Sequence, residues 1–183
     1  MKIEKLLLFI FCVLSSFIDI TAQTYYYNDT KTFYESGYTY QCDVTNGAVT
    51  LYNKDNQYTY IKQTYKNGSP LGPEYWNGSK VYLLENETWT KPLCHSIVNN
   101  AFSSTEKSRV KGEKLLITMY VNPDNGIVSE VNFWFSTNRP FATIPLSVYR
   151  SIEINLQDQI WFTPTTQGRN LNYIMRFWMH EVK

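Results

Sequence analysis

From Leu171 to Met179 apolar and polar side chains alternate, which places Leu171, Tyr173, Met175, Phe177 and Met179 on one face of an extended chain. A period of two predicts a strand covered on one side. The same pattern recurs upstream, where Ile127, Val131, Phe133 and Phe135 share one face and Glu130, Asn132 and Trp134 the other. That arm follows LLITMYV and the turn Asn122-Pro123-Asp124-Asn125-Gly126. Pro123 fixes φ there, and Asn125-Gly126 tolerate the left-handed region, so the two arms predict an antiparallel hairpin. Met175 and Phe177 are expected to be buried beside Phe133 and Ile152.

Two stretches follow the helical period instead. Leu93, Cys94, Ile97, Val98, Ala101 and Phe102 line one face of a helix that starts near Pro92, with Thr90 as its N-cap. Val148, Tyr149, Ile152 and Leu156 line a second helix that starts near Thr143, with Arg150 and Glu153 outward, and Pro164 lies beyond its end. The polar segment 103–112 between the first helix and the hairpin reads as a loop. The order strand, strand, helix, strand over residues 113–183 predicts an α+β, two-layer β-β-α-β unit, an antiparallel sheet with a helix on one face.

The pattern changes near residue 90. Twelve of the fifteen tyrosines fall between Tyr25 and Tyr82, which marks residues 23–90 as a tyrosine-rich β region preceding an α+β region over 91–183. TYQCDV, AVTLY and YTYIKQTY read as short strands, punctuated by Asn46-Gly47, Asn67-Gly68 and Asn77-Gly78. Pro70, Gly72, Pro73 and Gly78 make residues 69–79 the expected loop. The pattern leaves open whether residues 23–90 form their own domain or extend the downstream sheet.

Residues 1–22 carry a basic start (Lys2, Lys5), an apolar run from Leu6 to Ile18, and Ala22. This is the layout of a secretory signal peptide. The run is shorter than the roughly 20 residues that span a bilayer. The expected product is exported, periplasmic or extracellular, with no integral membrane segment after cleavage. Cys12 is preceded by Phe11 rather than by small residues, so no lipid anchor is expected. That leaves Cys42 and Cys94, which in an exported chain are expected to pair in a disulfide contributing about 4 kcal/mol. The alternative is two separately buried thiols.

Charge adds little. Seventeen basic and sixteen acidic residues give a formal net charge of +1, which provides no electrostatic footprint for nucleic acid. No catalytic constellation stands out. Cys94 is on an apolar helical face, and His95 and His180 read as solvated and far apart in sequence, without carboxylate companions. We therefore expect no enzyme, no metal and no cofactor. The exposed-aromatic candidates are Tyr75 and Trp76, in the Gly/Pro-rich loop, for glycan stacking. Trp134, Arg176 and Trp178 are the candidates on strands.

The segment QIWFTPTTQGRNLNYIMRFWM resembles the end of the C-terminal domain of TonB-like periplasmic proteins. A helix there gives way to an aromatic pair and a proline, here Trp161, Phe162 and Pro164, then a turn, here Gly168-Arg169, then a last amphipathic strand. The chain is also similar to small exported proteins of unknown function from Gram-negative gut commensals. The TonB resemblance covers about 70 residues and lacks the membrane helix and Pro-rich spacer of energy-coupling relatives. It implies a fold and a way of binding, in which an extended segment of an envelope partner adds to a sheet edge. The expectation is a non-catalytic interaction module, with glycan binding as the alternative.

Overall fold

The computed structural model describes residues 24–35, 37–72 and 82–183. Residues 1–22 and the pair Tyr75-Trp76 lie outside them. Six strands build one antiparallel sheet: β1 (Lys31–Glu35), β2 (Tyr38–Thr45), β3 (Ala48–Asn53), β4 (Lys114–Val121), β5 (Val128–Ser136) and β6 (Ile174–Glu181). Their spatial order is β1-β2-β3-β5-β4-β6. Among the described residues three α-helices accompany them: α1 (Thr90–Ala101), α2 (Ser104–Val110) and α3 (Leu146–Gln159). The change of composition near residue 90 does not interrupt the sheet, because β3 pairs with β5, Leu51 opposite Phe133.

The turns follow their residue chemistry. Thr45 pairs with Ala48 across Asn46-Gly47, whose φ values of 51° and 75° match the two-residue hairpin turn whose twist suits flanking strands. The predicted β4–β5 hairpin is present, with a bulge at Tyr120/Val121. Gly126 has φ +76°, and a Cβ there would collide with the carbonyl oxygen of Phe162 as the chain crosses behind the turn. Position 126 therefore has to be glycine for two independent reasons.

Four expectations are corrected. YTYIKQTY forms no long strand. It runs across the sheet face, where Gln57 and Tyr58 donate their backbone N–H groups to Glu130 at 2.8 and 2.9 Å. Segment 103–112 contains α2, nucleated by a capping box in which Ser103 and Glu106 satisfy each other's backbone N–H. With Val110 as its one buried residue, α2 has no apolar stripe to reveal it. Glu153 is not outward but 1% exposed. It accepts from the Tyr40 hydroxyl and pairs with Arg150 at 2.7 Å. His180 is buried rather than solvated.

The core lies between the sheet and helices α1 and α3. Val49, Leu51, Ile117, Val131, Phe133 and Phe135 from the sheet meet Val98, Tyr149, Ile152 and Leu156 from the helices. The Tyr149 ring stacks on Phe135 at 5.4 Å. The predicted apolar stripes of α1 and α3 thus face the core as expected.

Candidate functional site

The last strand is inverted relative to its apolar pattern. β6 pairs with β4 so that Leu115 faces His180, Ile117 faces Trp178 and Met119 faces Arg176. Leu115, Ile117 and Met119 belong to the helix-covered face, so Arg176, Trp178 and His180 do too. The apolar set turns the other way. Met175 is 36% exposed, Phe177 61% and Met179 53%, which corrects their assignment to the core.

They do not stand alone on that face. In register, Met179, Leu116 and Trp134 form a row across β6, β4 and β5, with Trp134 itself 43% exposed. Phe177 and Thr118 lie in the next row. Beyond it, the 54–61 segment covers the sheet, its ordering fixed by Glu130, by Asn56 Nδ2 donating to the Val131 carbonyl, and by Tyr120 donating to that of Thr59. The β4–β6 part of the open face is thus an apolar patch ending at the β6 edge.

The backbone of β6 can be read as well. Thr137 N–H donates to Gly47 O at 2.9 Å beyond the last β3–β5 pair. Ladder bonds alternate sides along an antiparallel strand. Carried through β5 and β4, this alternation assigns the β4-facing groups of β6 to residues 174, 176, 178 and 180. The backbone N–H and C=O groups of Met175, Phe177 and Met179 then point outward. Among the described residues no backbone hydrogen bond reaches that edge.

Behind the edge lies a histidine pair that sequence spacing hid. His95 of α1 and His180 of β6 meet with ring centroids 4.9 Å apart. The Trp178 indole N–H, a donor only, lies 3.4 Å from His180 Nδ1. Nδ1 is therefore the acceptor, and Nε2 carries the hydrogen given to Asn99 Oδ1 at 2.9 Å. Burial, then the neighbouring His95 and Lys183, push His180 down to about 4. Neutral at ordinary pH, it ties β6 to α1. Among the described residues no group of three or more His, Cys, Asp or Glu side chains is arranged to hold a metal ion.

The predicted site residues are dispersed. Trp134 is on the open face of β5, while Arg176 and Trp178 are on the helix side of β6, Arg176 exposed and Trp178 half-buried. The predicted disulfide is absent: Cys42 and Cys94 are free, buried thiols. Cys42 is on β2, three interstrand steps of about 4.8 Å from β4. Cys94 borders a cleft with Met119 of β4 and Arg176 of β6. That separation is well beyond the roughly 7 Å a disulfide bridges. Burial pushes each thiol up to about 11, which makes both poor nucleophiles at neutral pH.

Fold and face together define an α+β protein with one six-stranded antiparallel sheet, helix-covered on one side and partly open on the other. The model of the family called domain of unknown function DUF5043 matches residues 23–178, and the chain belongs to this family. The match runs across both the tyrosine-rich and the α+β regions. The chain is similar to a solved structure, a DUF5043 family protein from Bacteroides uniformis, a gut commensal. The two are 41% identical over 87% of this chain and 95% of the other, with a TM-score of 0.81. No curated protein matches. No helix among the described residues is long and apolar enough to cross a membrane.

Proposed function

We propose that this protein is an exported, non-catalytic interaction module of the cell envelope whose β6 edge accepts an extended segment of a partner protein. The observation that carries the reading is the coincidence of two features on the same residues. Met175, Phe177 and Met179 expose apolar side chains, and alternation gives the same three residues the outward backbone groups. An added strand gains main-chain hydrogen bonds from the edge and covers the apolar row with its own alternate side chains. Long exposed apolar edges are otherwise an aggregation hazard that proteins blunt with charge or proline. Exposed Arg176 makes no ion pair to the described residues, so an acidic residue opposite it is favoured. The TonB-like pattern at the C-terminus and the signal-like start support the same reading.

Selection from displayed random segments, matched in length to the eight residues of β6, tests this. The expected binders alternate apolar and polar residues and carry an acidic position. Phe177→Pro, which removes an outward donor while sparing the β4 ladder, should abolish capture. Selected segments that bind Phe177→Pro as well as wild type would overturn the strand-addition reading.

A further inference from the structure

A cleft of about 200 Å³ lies between the start of α1 and the helix side of β6. It is smaller than the roughly 300 Å³ and upward of sites that enclose a whole small molecule, and it suits a single side chain. Lys91 and His95 of α1 line it, with Arg176 and Trp178 of β6 and Met119 of β4. Phe177 lines it too, and its backbone groups point outward, so the cleft is continuous with the edge that takes an added strand.

The charge of the lining is of one sign. Lys91 and Arg176 are exposed, neither makes an ion pair with a described residue, and no carboxylate lines the cleft. Glu85 and Glu87 line the neighbouring cavity, which shares Arg176, but neither pairs with it, and Glu87 Oε1 accepts from the Thr163 N–H at 2.6 Å. α1 has no acidic residue in its first turn and no side-chain N-cap bond, so nothing there offsets the positive end of the helix. The field is felt by His95: burial, then Lys91 and Lys183, hold its imidazole below the usual range.

Register brings a partner to this cleft. On a strand added along β6, the residues across from Arg176 and Trp178 place their side chains on the helix side, and their neighbours cover Met175, Phe177 and Met179. We propose that the cleft receives a glutamate side chain of the added segment, its carboxylate held by Lys91 and Arg176 and its methylenes against Trp178. The proposal rests on the strand-addition reading and deepens it. It fixes which face of the partner strand is acidic, and it gives α1 a share in recognition.

Capped peptides of eight residues, the length of β6, test it on the whole protein. Valine and threonine alternate, and one central threonine is replaced by Glu, Gln or Lys; a fourth peptide carries Glu at a central valine position instead. The Glu peptide should bind about fivefold tighter than the Gln peptide, and the Lys peptide more weakly than either. Moving Glu to the valine face should remove the advantage. So should Lys91→Gln combined with Arg176→Gln, two exposed positions, without weakening the Gln peptide. The Glu peptide should also raise the His95 titration midpoint followed by NMR, which the Gln peptide should not. Equal binding of Glu and Gln peptides, or an advantage that survives the double variant, overturns the cleft proposal and leaves strand addition standing. Failure of every peptide to bind overturns both.

Discussion

β5 and β6 carry the same alternating signature and bury opposite halves of it. In β5 the apolar set Val131, Phe133 and Phe135 faces the helices. In β6 the apolar set Met175, Phe177 and Met179 faces outward, while Arg176, Trp178 and His180 take the helix side. Both strands pair with β4, which is apolar at successive positions 115, 116 and 117, so β4 accepts either orientation of its neighbour. A one-residue slip of β6 would bury its apolar set. Anchors at both ends oppose the slip. Leu171 is buried and Tyr173 donates to the Ile61 carbonyl before the strand begins, and His180 is bound to Asn99 near its end. Alternation specifies that two faces differ, and only partners specify which face goes in.

The sharpest way to break this comparison is to cut the same side chain from both strands. Phe133→Ala removes a fully buried ring and should cost about 3–5 kcal/mol in denaturant unfolding. Phe177→Ala should cost less than about 1 kcal/mol, as expected for an exposed position. Equal losses would mean that β6 is buried in solution and that the outward face is wrong.

A second test acts on the anchor. The His180 imidazole is held down to about 4 in the fold, against about 6.5 in an unfolded chain. Between those values the unfolded state binds the proton and the folded state does not. Stability contributed by neutral His180 is therefore full above about pH 6.5 and is lost as pH falls toward 4. Comparing unfolding free energies of wild type and His180→Gln across that window should show an excess pH slope in wild type, on the order of 2 kcal/mol in total. Parallel profiles would release His180 from its role in holding the register.

Much of the architecture was legible because it rests on local chemistry. The β4–β5 hairpin was marked by Pro123 and Asn125-Gly126, the stripes of α1 and α3 by their spacing, and the β2–β3 turn by Asn46-Gly47. The candidate face was not, because it depends on pairings between distant residues. Glu153 reads as a surface charge until Tyr40, 113 positions away, reaches it. His95 and His180 read as isolated until β6 brings them beside each other. Cys42 and Cys94 read as a pair until the strand order separates them. One signal was available and passed over: Ser103 and Glu106 at capping-box spacing announce α2.

The smallest effect expected on stability is the most informative about the face itself. Phe177→Lys places a charge where the comparison says solvent already is, and its unfolding free energy should stay within about 0.5 kcal/mol of wild type. The same change cuts the row formed with Met175 and Met179, so binding of an apolar dye such as ANS to the folded protein should fall. The two readouts separate the alternatives. A large loss of stability would show that Phe177 is covered, by burial or by a second copy, whereas unchanged stability with unchanged dye binding would mean that the row does not act as one continuous apolar surface. Only an unperturbed fold with weaker dye binding fits an edge strand that presents its apolar half to an incoming chain.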